Sequence, residues 1–211
     1  MRRPDLRLIV ITDRIMAAPR DLLAVVRQCL QGGAPAIQLR DKHAHARALL
    51  EQGEVLRALT DEFGALLFIN DRLDVALAAR ADGVHLGPDD IPLHAARGAV
   101  PTGFLIGVST DDPAEARTAQ RAGADYIGCG AVFGTTSKAD TAGEAIGSAR
   151  LADVVNAVDI PVVGIGGIDT SNVGEVAAAG AAGAAVIGAV MKAQEPEAAV
   201  RALLHPFGVR T

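Results

Sequence analysis

Four stretches of this chain repeat one design, in which small residues and glycine close a helix and a short apolar strand follows at once. They are GGAPAIQLR (32–40), ARADGVHLG (79–87), RAGADYIGCG (121–130) and AGAAGAAVIG (179–188). Glycine there accepts the left-handed conformation that often ends a helix. Ahead of the first stretch and in each gap lies a further apolar segment: LRLIVIT (6–12), ALLFIN (65–70), FLIGVS (104–109) and IPVVGIGG (160–167). Amphipathic segments fall between the strands, for example 46–63 and 112–123. In the second of these Asp112 is placed to cap the helix, Pro113 to occupy its first turn and Gly123 to stop it.

Strands alternating with helices in this way imply parallel strands buried on both faces. Eight such units in 211 residues fit the α/β class and a single-domain (β/α)8 TIM barrel, residues 1–211, with the barrel core over about 6–204. An open doubly wound sheet shares the local pattern, because closure leaves no mark in a sequence. With 50% hydrophobic and 21% charged residues, disorder is excluded. Aromatic residues are only 3% and tryptophan is absent, so Ala, Val, Leu and Ile must build the core.

A formal charge of −5 argues against a nucleic-acid partner, which calls for a basic stripe. An anionic substrate would instead need local positive charge, and Arg40, Lys42 and Lys138 are the candidates. Cys29 and Cys129 lack metal-ligand spacing and read as packing residues in a helix and a strand. The run Leu8 to Ile11 is too short for a signal core. The Ala/Val-rich stretch 176–190 is broken by Gly180, Gly183 and Gly188 and is shorter than the ~20 residues a membrane span needs. A cytoplasmic protein without membrane partners is therefore expected.

Barrels of this kind carry their chemistry at the carboxyl ends of the strands. Those ends here supply Thr12-Asp13, Gln38 to Lys42, Asn70-Asp71, His85 with Asp89-Asp90, Ser109, the 130–138 loop, Gly166-Gly167 and Gly188. Gln38, Arg40 and Lys42 alternate, so an extended segment turns them to one side, as a phosphate clamp or as a charged loop. Asp71 and Asp90 suit either the caps of the helices that follow or the two carboxylates Mg2+ prefers beside phosphate oxygens. GIGGI (164–168) offers backbone N–H groups to a phosphate, or tight strand–helix packing. His85 reads as a core histidine with a local hydrogen bond, and no histidine cluster suggests zinc. The order Ser137-Lys138 does not match a Walker loop.

The ordered set QLRDK (38–42), ND (70–71), GVHLGPDD (83–90), GVS (107–109), GAVFGTTSKAD (130–140) and GIGGI (164–168) resembles the thiamine phosphate synthase family, with family-like spacing from strand 2 to strand 8. The resemblance implies condensation of a hydroxymethylpyrimidine diphosphate with a thiazole phosphate, giving thiamine phosphate and diphosphate. It implies that Gln38, Arg40, Lys42, Asn70, Ser109 and Lys138 bind the pyrimidine diphosphate, with Arg40, Lys42, Lys138 and Ser109 acting in catalysis. Asp71 and Asp90 would ligate Mg2+, and Thr135, Thr136, Ser137, Gly167, Ile187 and Gly188 would hold the thiazole phosphate. Small molecules are thus the expected partners; a homo-oligomer is compatible with the helical exterior, but no patch identifies an interface.

Three positions depart from the family's commoner residues: Gly188 for Ser, Ser137 for Thr and Gly134 for Pro. The related thiazole tautomerase carries a catalytic histidine at the position matching Ala131 and tends to lose the metal pair, unlike this chain. A Schiff-base lysine at Lys138 would need a dry pocket to depress its pKa. A non-catalytic phosphate-binding barrel would have eroded carboxylates or cations, and neither set is eroded.

Overall fold

The computed structural model describes residues 4–134 and 145–208. Eight parallel strands run β1 (Leu8–Ile11), β2 (Ala36–Leu39), β3 (Leu66–Asn70), β4 (Gly83–Leu86), β5 (Leu105–Ser109), β6 (Tyr126–Cys129), β7 (Val162–Ile165) and β8 (Gly183–Val186). Each pairs with the next, and β8 returns to β1 through Leu8 opposite Ala184, so the sheet closes into a barrel. The open-sheet alternative is thereby removed.

The helices around it are α1 (Arg14–Ala17), α2 (Leu22–Gln31), α3 (Ala46–Phe63), α4 (Leu73–Ala78), α5 (Leu93–Ala99), α6 (Pro113–Arg121), α7 (Gly147–Val155), α8 (Val173–Ala178), α9 (Gly188–Met191) and α10 (Pro196–Leu204). Helix α3 has the predicted bounds and ends on Gly64 in the left-handed conformation. Asp112 caps α6 by accepting from Ala114 N and Glu115 N, with Pro113 in the first turn. The stretch 176–190 divides into the end of α8, a turn, β8 and the start of α9. Among the described residues no helix is long and apolar enough to cross a membrane.

Alternation along the strands decides what faces the barrel interior. Leu39 and Ile69 turn outward, where a side chain at Gly53 of α3 would meet both. Their neighbours Gln38, Phe68 and Asn70 therefore turn inward. The interior is filled unevenly. Tyr126 is fully enclosed and stacks edge-on against Phe68, with ring centroids 5.5 Å apart. A Cβ on Gly107 would lie 2.1 Å from the Tyr126 ring, and one on Gly128 would lie 2.8 Å from His85. Glycines on β5 and β6 thus make room for the two large rings.

The amino-terminal rim is tied by a repeated ionic clamp. Asp82, just before β4, accepts from Leu67 N of β3 at 2.7 Å and from Arg57 of α3 at 2.6 Å. Asp125, just before β6, likewise accepts from Ile106 N of β5 at 2.7 Å and from Arg97 of α5. Arg97 also donates to the Gly123 and Phe104 carbonyls. Both aspartates belong to the recurring helix-end segments. Each holds the start of one strand against its neighbour.

Candidate active site

At the opposite rim the strand ends surround a cavity of about 700 Å³. Thr12, buried at the end of β1, accepts from Arg40 N at 3.0 Å and fixes the exit of β2. Asp41 secures the next turn by accepting from His43 N and Ala44 N and pairing with Arg14 at 3.1 Å. The chain therefore leaves β2 in a fixed path, and Arg40 and Lys42 both line the cavity. Gln38 sits one step deeper and is 3% exposed.

The next two strands deliver the carboxylates. Asp71 follows β3 with φ of 63°, a left-handed conformation uncommon for a side-chain-bearing residue. Its N–H donates to the His85 carbonyl at 2.8 Å, which holds this turn against β4. Asp90 accepts from Gly87 N at 2.6 Å. Neither carboxylate caps a helix, since the N-cap positions of α4 and α5 are Arg72 and Pro92, with no side-chain cap bond at either. The capping alternative therefore fails for both.

The two carboxyl groups instead lie within hydrogen-bonding reach of one another. Burial, reinforced by Asp90, pushes the Asp71 carboxyl up to about 6, while Lys42 and Arg40 pull it back. Two like charges set together between cations form a poor ion pair and a good seat for a divalent cation. Among the described residues no group of three or more His, Cys, Asp or Glu could hold a metal. Two hard carboxylates are a donor set that suits Mg2+ beside phosphate oxygens.

Ser109 at the end of β5 and Asn70 line the same cavity. His85 joins them. It is half-buried, and its ring spans the barrel between Tyr126 Oη, 3.0 Å from Nδ1, and Ser109 Oγ, 2.8 Å from Nε2. The expectation of a core histidine with a local bond is corrected: its partners come from two other strands, and it faces the cavity.

The far wall is made of backbone. Val132 N and Phe133 N donate to the carbonyls of Ile165 and Gly166, so the loop after β6 lies directly on the one after β7. Gly166 and Gly167 have φ of 97° and 65°, and a Cβ on Gly167 would lie 2.4 Å from the Gly134 carbonyl. Gly164 of the same motif packs outward against Val176 and Leu151. The packing reading of GIGGI thus holds at Gly164, while Gly166 and Gly167 form the turn at the cavity wall. Ala131, Gly167, Ile187 and Gly188 line the cavity, as does Lys192 just past α9, which the sequence reading missed.

Thr135, Thr136, Ser137 and Lys138 lie outside the described residues. Cys29 and Cys129 are buried packing residues, and burial pushes both thiols up to about 12, which keeps them unreactive.

A closed parallel barrel whose carboxyl-end cavity is lined by Arg40, Lys42, Asp71 and glycine turns, with Asp90 set against Asp71, is a (β/α)8 fold with a site suited to anionic ligands. Comparison narrows this class. Residues 8–190 match the family model described as thiamine monophosphate synthase. The chain is 51% identical over 194 residues to a thiamine-phosphate synthase of Roseiflexus castenholzii, covering 92% of this chain and 85% of that one. It is 48% identical to a thiamine-phosphate synthase of Pyrococcus horikoshii, covering 95% and 94%. The solved thiamine phosphate pyrophosphorylase of Pyrococcus furiosus superposes with a TM-score of 0.87 at 44% identity, covering 97% of this chain and 96% of that one. The chain belongs to the thiamine monophosphate synthase family.

Proposed function

We propose that this chain condenses 4-amino-2-methyl-5-hydroxymethylpyrimidine diphosphate with a thiazole phosphate, releasing thiamine phosphate and diphosphate. The observation that carries the reading is the Asp71–Asp90 pair, turned face to face beside Arg40 and Lys42 with neither carboxylate spent on a helix cap.

The chemistry asks for little beyond electrostatics and position. The methylene C–O bond breaks and its electron pair leaves on the diphosphate. The electron-rich aminopyrimidine delocalises the cation left behind, and the thiazole nitrogen donates its lone pair to form the C–N bond. Arg40 and Lys42 hold and neutralise the leaving diphosphate, Arg40 by a two-point grip and Lys42 as a point charge. In the family's pattern Gln38, Asn70, Ser109 and Lys138 complete that site. Asp71 and Asp90 would hold Mg2+, which would supply further charge neutralisation to the departing phosphates.

The glycine turns at Gly166-Gly167 and Gly188, with Ile187, Thr135, Thr136 and Ser137, receive the thiazole phosphate. Lys192 adds a cation on that side, where Gly188 offers no hydroxyl. Holding both reactants side by side in one cavity removes the need for a strong base. A tautomerase reading lacks support: Ala131 lines the cavity and has no group to transfer a proton. The partners are two small anionic molecules; a cytoplasmic setting fits such a reaction.

Purified protein mixed with both substrates is expected to form thiamine phosphate and diphosphate in equal amounts, and only with a divalent cation. Absence of product under every metal condition would reject the reading.

A further inference from the structure

We propose that Tyr126 is a positioning residue that acts through His85 to make the Ser109 hydroxyl a hydrogen-bond donor into the cavity. The inference rests on the synthase reading for the identity of the ligand, and on geometry for the rest. Tyr126 Oη, His85 Nδ1, His85 Nε2 and Ser109 Oγ form one chain across three strands, with contacts of 3.0 and 2.8 Å. Its polarity is set at the closed end. Tyr126 is 1% exposed, locked between Phe68 and the backbone of Gly107, and its hydroxyl meets His85 Nδ1.

A buried O–H proton needs an acceptor, or the group's desolvation goes uncompensated. Burial also raises the phenol's pKa, so the O–H remains a neutral donor. The proton therefore goes to Nδ1, and a neutral imidazole that accepts at Nδ1 carries its own hydrogen on Nε2. Nε2–H then donates to Ser109 Oγ. With that lone pair taken, the serine hydrogen points the other way, into the cavity that Ser109 lines. The reverse polarity would strand the tyrosine proton and consume the serine proton. Ser109 would then present only lone pairs to an anionic group of the substrate, and repel it.

The consequence is a switch set by one hydroxyl some distance from the substrate. Removing it by Tyr126→Phe keeps the ring that packs on Phe68 while releasing Nδ1. The imidazole can then take either tautomer.

The direct test is nitrogen-15 NMR of the unmodified enzyme, with His85 assigned by the signal lost in a His85→Gln variant. The expected result is His85 as the Nε2–H tautomer, changing to a mixture in Tyr126→Phe. In parallel, kcat/KM for the pyrimidine diphosphate is expected to fall tenfold or more in Tyr126→Phe. It should fall at least as far in Ser109→Ala and no further in the double variant.

An Nδ1–H tautomer in the unmodified enzyme overturns the proposal, as do losses that multiply in the double variant, which mark a merely structural tyrosine. Should Tyr126→Phe fail to fold, the tautomer of the unmodified enzyme still decides. Failure of the synthase reading is distinct: the unmodified enzyme would make no thiamine phosphate whatever the tautomer, and the catalytic half of the proposal would fall with it.

Discussion

The two rims of the barrel use the same residue types to opposite ends. At the amino-terminal rim two aspartates each have a guanidinium and a strand N–H: Asp82 with Arg57 and Leu67, Asp125 with Arg97 and Ile106. At the carboxyl rim Asp71 faces Asp90, another carboxylate, while Arg40 and Lys42 are turned to a cavity. Charges that are matched within the chain hold strands in register. Charges set against like charges store free energy that a cation and an anionic substrate can release. Electrostatic mismatch is thus what marks the working end of the barrel.

If that contrast is right, breaking each rim should damage a different property. The largest effect is expected at Arg40. Arg40→Ala should lower kcat/KM for the pyrimidine diphosphate by about 100- to 1,000-fold, the ~3–4 kcal/mol of a charge-assisted two-point contact. Its unfolding free energy should move by less than about 0.5 kcal/mol. Steady-state kinetics beside urea unfolding measures both.

Arg97→Ala should show the converse. Losing the guanidinium strips the Gly123 and Phe104 carbonyls of their donor and leaves Asp125 only Ile106 N, which should cost about 1–3 kcal/mol in stability. Turnover per folded molecule should be unchanged.

The pH dependence without metal sharpens the contrast further. Asp71 has a folded-state pKa near 6 against an ordinary value of 3.8. Between those values the folded chain binds the proton more tightly than the unfolded chain, so stability falls as pH rises and levels off above about 6. The half-exposed setting and solvent screening reduce the size of this loss to about 1 kcal/mol. Mg2+ should cancel it, visible as a rise in Tm at pH 7.5 that is absent at pH 4. The smallest effect is expected at Lys192. Lys192→Ala should raise KM for the thiazole phosphate about three- to tenfold, less at high salt, as for an exposed charge.

The sequence carried the barrel well because its signals are local and repeated. Glycine-closed helices, apolar strands and the Asp112-Pro113 cap each report on a few neighbouring residues, and all agree with one architecture. Closure was not legible, since the β1–β8 pairing joins residues at opposite ends of the chain. At the site, Arg40, Lys42, Asn70, Ser109, Gly167, Ile187 and Gly188 line one cavity. The carboxylates could not be assigned from residues alone, because an aspartate before a helix reads equally as a cap. Only the absence of cap bonds separates the two.

Tyr126 and His85 were missed for a related reason. Each looks like core on its own strand, and their link to Ser109 exists only across three strands. Lys192 follows α9 with no motif around it, so its place on the cavity wall depends on how β8 ends.

The most direct test of the account is Asp71→Asn, which removes the charge while asparagine tolerates the left-handed backbone at this position. Unfolding free energy and metal-dependent turnover should be measured on the same preparation. The account predicts a chain at least as stable as the unmodified one above pH 6, with turnover reduced by about 100-fold or more because half of the cation's seat is gone. Full-rate turnover, or a loss of stability matching that of Arg97→Ala, would contradict it.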